Sequence, residues 1–115
     1  MRSLEGLDRD QFLRDIWQQK PLLIRGAVTS LPGLTPEELA GLALEPDVSA
    51  RLVMGAEPDW SVNPGPFDEH SFNGDGPWSL LVEAVDHYEP EVAALRGLLQ
   101  FLPSWRFDDV MVSYA

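Results

Sequence analysis

Two residues near one end of this 115-residue chain, Asp109 and Met111, have types and spacing that suit gripping a cationic group. Asp109, Met111 and Ser113 alternate with Val110, Val112 and Tyr114. A period of two with a β-branched and aromatic bias predicts a strand with one apolar face. The other face carries a carboxylate, a thioether and a hydroxyl. If that face lines a cavity, Asp109 can hold a cationic side chain through charge-assisted hydrogen bonds while Met111 packs along its aliphatic stem. If it faces water, Asp109 is an ordinary edge carboxylate. Asp108 and Asp109 point to opposite faces of such a strand, so they cannot act together as an acid/base pair. One of them is expected to cap the start of the strand or to pair with Arg106.

Little else in the chain carries chemistry. The two histidines, His70 and His87, stand in no metal-binding spacing. His87 is expected at a helix end, where the dipole favours a cation. The sequence has no phosphate-binding glycine loop, no nucleophile elbow and no cysteine. Redox, phosphoryl and acyl chemistry therefore have no residues to carry them unaided, and no metal ligands are assigned. Trp17 and Trp78 sit on apolar faces and are expected in the core. Trp60 and Trp105 flank turns and suit either core or surface.

Charge narrows the partners. Nineteen acidic and 8 basic residues give a net charge of −11. Such a surface repels nucleic acid and anionic membranes and attracts basic proteins. The absence of cysteine fits a reducing compartment. No apolar run approaches the roughly 20 residues of a membrane span, and the segment MRSLEGLDRDQF has no signal-peptide core. The cytoplasm is the expected location.

The strand at 109–114 needs elements to position it, because a lone strand leaves its backbone groups unpaired. A helix is expected over Asp8–Gln19, capped by Asp8 with Gln11 completing a capping box and closed by Pro21. Leu22–Arg25 reads as a short strand stopped by Gly26. Thr35-Pro36-Glu37-Glu38 is the best local signal: an N-cap threonine, a proline at the first helical position and a glutamate at the third. Leu39, Leu42 and Ala43 then face inward. Arg51–Met54 and Trp60–Asn63 read as a hairpin, followed by a long loop from Asn63 to Pro77 of the ordered or functional kind. Trp78–His87 is expected to be helical, with Leu80, Leu81, Ala84 and Val85 on one side. Pro90 opens a further helix with Val92, Leu95, Leu98, Leu99 and Leu102 at helical spacing. Residues 1–115 read as one domain without repeats or linkers, and with too few strands to complete a sheet.

These segments carry a resemblance. FLRDIWQQKPLLIRGA resembles the opening segment of JmjC-type 2-oxoglutarate oxygenases. TPEELAGLALEPDVSARLV, GPF and WSLLVEAVDHYEPEVAALRGLLQFLPSWRFDDVMVSYA resemble more closely the bacterial ribosomal oxygenases, a branch that includes an arginine hydroxylase of ribosomal protein uL16. The resemblance runs from about Phe12 to Ala115, and WRFDDVMVSYA is its most specific part. It implies an α+β fold in which helices and short strands lead into a double-stranded β-helix of cupin/JmjC type, mostly missing from this chain. It implies Fe(II) and 2-oxoglutarate as cofactors of the intact protein, a basic ribosomal protein such as uL16 as substrate, and a homodimer. It also implies that Asp109 and Met111 contact the substrate arginine. The family's HxD iron motif follows the segment resembling DDVMVSYA, so the 115 residues alone are expected to be inactive and to bind neither cofactor.

Two readings result. In one, the chain is the N-terminal part of a protein hydroxylase, with an open sheet edge and uncovered apolar surface. In the other, it is a free-standing acidic interaction module, which should bury Val110, Val112 and Tyr114 and pair its last strand fully.

Overall fold

The computed structural model describes residues 4–72 and 76–115. It is an α+β arrangement around a four-stranded antiparallel sheet of order β2-β1-β3-β4. The strands are β1 (Ala50–Ala56), β2 (Asp59–Asn63), β3 (Trp78–Val82) and β4 (Val112–Tyr114). β1 and β2 form the expected hairpin, with Val53 opposite Val62 and Gly55 opposite Trp60. Gly55 has φ +99°, and a Cβ there would collide with the Asp59 carbonyl, so only glycine fits the hairpin at that point.

The helices pack on one face. α2 (Pro36–Ala43) starts as its sequence dictates: the Thr35 hydroxyl accepts from the Glu38 N–H at 3.1 Å, with proline in the first turn. Leu39 and Ala43 then meet Ala50, Leu52, Leu80, Val82, Val85, Val92 and Phe67 in the core. α3 (Pro90–Ala93) tightens into a 3-10 helix over Ala94–Leu99 and buries Val92 and Leu98. α1 (Arg9–Gln11) is capped by Asp8, whose Oδ1 accepts from the Gln11 N–H. It continues as a π-helical turn over Phe12–Ile16, closed by Trp17 N–H to Phe12 C=O at 2.8 Å. It stops short of Gln19 because Trp17 leaves the helical region with ψ 126° and Gln18 then takes a left-handed conformation.

Two expected elements differ. Trp78–His87 is not a helix: its first half is β3, and only Val85–His87 forms a 3-10 turn. The apolar run fits both periods, and pairing decides it. As a strand it satisfies the free side of β1, with Met54 opposite Trp78 and Ala50 opposite Val82. Leu22–Arg25 forms no ladder among the described residues, and Leu23 is 76% exposed. An extended segment becomes a strand only beside a partner. The loop before β3 is anchored by buried Phe67 and by an Asx-type turn at Asp68, whose Oδ1 accepts from the His70 N–H. Its residues 73–75 lie outside the described residues.

The other sheet face is open among the described residues. By register, Trp60, Val62, Val53, Leu81, Ser113 and Met111 share it, and Trp60 and Val62 are 60% and 58% exposed. Among the described residues β4 pairs only with β3, leaving its outer edge open. The chain has 8186 Å² of accessible surface, against roughly 6,300 Å² for a compact monomer of this size. Its radius of gyration is 16.8 Å, against roughly 13 Å. An open edge and an apolar face favour association, while the net charge opposes it. The isolated chain is therefore expected to associate more strongly as salt rises and the Debye length falls from about 30 Å at 0.01 M to about 8 Å at 0.15 M. Sedimentation velocity across that range checks this; a salt-independent monomer would contradict it.

Candidate substrate site at the open sheet edge

The segment leading into β4 is fixed by the turn that follows β3. The β3–β4 register, with Leu80 opposite Tyr114 and Val82 opposite Val112, brings Ala84 opposite Val110. Here the ladder cannot continue through the backbone alone. Ala84 takes φ 54° and ψ 37°, the left-handed region, and turns the chain away. Side chains complete the pairing. The Ala84 N–H donates to Asp109 Oδ2 at 2.6 Å, the Val85 N–H donates to the Val110 carbonyl at 3.0 Å, and the Val110 N–H donates to Asp86 Oδ1 at 2.9 Å.

Asp86 is the buried member of this set. Its side chain is 4% exposed, and Arg96 Nη1 donates to its Oδ2 at 2.8 Å. The same guanidinium lies over the Phe107 ring, 5.8 Å from its centroid. Burial raises the Asp86 pKa, but the Val110 N–H, the Arg96 guanidinium and nearby His87 outweigh it and hold the carboxyl below the ordinary aspartate range.

Asp109 and Met111 sit on either side of Val110. Asp109 is half-buried with one oxygen engaged by Ala84, and Met111 is 47% exposed on the uncovered side. Asp109 is thus neither a free edge carboxylate nor a cap on its own strand; it caps the turn across from it. Val110 and Val112 pack against the core as the alternation requires, while Tyr114 is 43% exposed beside Trp78. Arg106 pairs with neither aspartate: it lies over Trp17 at 5.4 Å and Trp105 at 5.3 Å. Trp17 and Trp78 are half-buried rather than fully enclosed, and Trp60 and Trp105 are exposed.

Sequence reasoning missed Asp86 and Arg96. A buried aspartate ten residues from an arginine has no periodic signature. The usable signal was the Asp86-His87 pair at the end of an apolar run, read as a helix terminus.

The histidines do not assemble a metal site. His87 Nε2 is 4.0 Å from Asp86 Oδ2, and His70 Nε2 is 3.9 Å from Glu69, with both imidazoles exposed. Among the described residues no three histidine, aspartate or glutamate side chains converge to hold a metal, so these residues do not fit an iron centre.

Because Asp86 is held at a depressed pKa, its stabilisation is complete above the unfolded aspartate value of about 3.9. It is lost as pH falls through the lower folded value. The stability gap between the wild type and Asp86→Asn should be constant near neutrality and shrink in strong acid. Urea denaturation across that pH range measures it; a gap that widens on acidification would contradict the assignment.

No family model matches the chain. It is 41% identical over 110 residues to the ribosomal protein uL16 3-hydroxylase of Escherichia coli (strain K12), covering 95% of this chain and 30% of that protein. It is 40% identical over 114 residues to a probable ribosomal oxygenase of Haemophilus influenzae, covering 96% and 28%. Among solved structures, YcfD, a ribosomal oxygenase from Escherichia coli, superposes with a TM-score of 0.85 at 39% identity, over 96% of this chain and 31% of that one. A second YcfD structure, in complex with cobalt and 2-oxoglutarate, gives 0.84 at 42% identity. The chain spans just under a third of the length of these relatives. In sequence and in fold it is similar to a segment of just under a third of these ribosomal oxygenases.

Proposed function

We propose that this chain is the N-terminal part of a 2-oxoglutarate- and Fe(II)-dependent protein hydroxylase that acts on a ribosomal protein in the cytoplasm. The target is an arginine of uL16. Residues 1–115 then form one portion of a single JmjC/cupin domain, and the intact enzyme is a homodimer. The observation that carries this reading is 41% identity, across nearly the whole chain, to an enzyme named for hydroxylating uL16. Cobalt and 2-oxoglutarate in the related structure support the cofactors, with cobalt in the place we assign to iron. The described residues of this chain do not fit the metal, so we assign it to the remainder of the enzyme.

The chain's own contribution is substrate recognition. Asp109 Oδ1 is not engaged by Ala84 and is able to accept from a guanidinium, a charge-assisted bond. Met111 offers an exposed thioether to the methylene stem. The net charge of −11 draws a basic client toward the site. The uncovered face and open edge of β4 support a segment that packs under further strands. They argue against a free-standing acidic module, which would pair that strand fully.

The test is to express the complete reading frame from the source DNA and incubate it with uL16, Fe(II) and 2-oxoglutarate. Mass spectrometry should find one added oxygen on an arginine, dependent on both cofactors. Unmodified uL16 would overturn the reading. In that enzyme Asp109→Ala should raise the KM for uL16 about 10- to 100-fold, the range for losing a hydrogen bond to a charged group. Affinity for iron and 2-oxoglutarate should not change. Unaltered turnover would remove Asp109 from the site.

A further inference from the structure

We propose that Asp86, held by Arg96, is a positioning residue for substrate recognition: it sets the direction of Asp109 and Met111 by binding the peptide between them. This rests on the reading that those two residues contact the client.

The geometry carries the inference. Val110 is pinned at both backbone groups, its N–H by Asp86 Oδ1 and its carbonyl by the Val85 N–H. With both groups held, its peptides cannot rotate, and the flanking side chains keep their directions. Asp109 is fixed a third time through Oδ2 on the Ala84 N–H, which leaves Oδ1 as the oxygen presented to a ligand. Asp86 is in turn fixed through its other oxygen by Arg96, whose guanidinium also covers Phe107 on the near side of the segment. Arg96 comes from the helix that starts at Pro90, so the Asp109–Met111 segment is tied to that helix as well as to the sheet. The side chain of Asp86 is nearly inaccessible, so water replaces neither bond readily.

A bond that only holds the fold together and one that aims a substrate contact predict different kinetics. Loss of fold reduces the amount of active enzyme, hence the apparent kcat, and leaves KM alone. Mis-aiming of Asp109 and Met111 weakens client binding, hence raises KM. A displacement of about 1 Å is enough to cost up to a hundredfold in an aligned site.

The experiment uses the complete enzyme with recombinant uL16 as the probe. Asp86→Asn keeps an oxygen for the Val110 N–H but sets its amide donors against Arg96. Arg96→Met removes the guanidinium, and Arg96→Lys keeps a cation for Asp86. Asp86→Asn and Arg96→Met are expected to raise the KM for uL16 about tenfold, with the KM for 2-oxoglutarate unchanged. Arg96→Lys should recover most of that loss. Asp109→Asn separates the possible failures, because its amide oxygen still accepts from the Ala84 N–H while its charge is gone. A KM for uL16 that Asp109→Asn leaves unchanged overturns the site and the positioning role together. A KM raised by Asp109→Asn but not by Asp86→Asn or Arg96→Met overturns the positioning role alone. Should Arg96→Met fail to fold, Asp86→Asn decides the matter, since it leaves no unpaired buried carboxylate.

Discussion

The junction between β3 and β4 depends on one device, a buried carboxylate that substitutes for a missing strand carbonyl. Ala84 leaves the ladder in a left-handed conformation, and without Asp86 the Val110 N–H would lose its partner beside the core. An unsatisfied buried donor costs about 1–3 kcal/mol, a large share of the stability of a small domain. Asp86 is held ionised there by the Val110 N–H it accepts from and by Arg96 at 2.8 Å. Breaking such a pair by removing one partner is more damaging than never having had it. This ion pair thus links the turn, the segment entering β4 and the helix from Pro90, and the two residues proposed to contact the substrate lie in that segment.

The rest of the architecture has an unequal pair of faces. One side of the sheet is closed by α2, Val85, Val92 and Phe67 into a small apolar core. The other exposes Trp60, Val62 and Met111, and among the described residues the outer edge of β4 is unpaired. Soluble sheets that stop at an edge usually blunt it with charge, proline or a bulge. β4, reading Val112-Ser113-Tyr114, has none of these. Its neutrality contrasts with a chain of net charge −11. By register the carboxylates on that open face are Glu83, paired with Arg51 at 3.6 Å, and Asp109, bonded to the Ala84 N–H.

Legibility in the sequence followed how local each interaction is. The Thr35 cap, the Asp8 cap and the β1–β2 hairpin were readable because each is decided within a few residues. The alternation at 109–114 correctly separated Val110 and Val112 from Asp109 and Met111. β3 was misread because Trp78–Val85 is apolar at both helical and strand spacing, and only β1, some 25 residues away, selects the strand. The Leu22–Arg25 segment was misread for the opposite reason: its residue types suit a strand, but no described strand lies beside it. Asp109 and Met111, the proposed contact residues, were picked out by the alternation. Asp86 and Arg96 were not, because a side chain bonded to a backbone group 24 residues away leaves no periodic trace.

That Asp109 caps a turn does not compete with a role in binding. A carboxylate has two oxygens with about four acceptor sites, and the Ala84 N–H occupies one. A free edge carboxylate would meet a cationic ligand only after giving up rotational freedom of its own. One already anchored through Oδ2 has lost that freedom on folding, so less entropy is lost on association. The same anchoring makes the site intolerant of small changes in the turn beneath it. On the proposed function, recognition by this segment is set less by the number of acidic residues, of which there are 19, than by the two that are bonded to backbone across the β3–β4 junction.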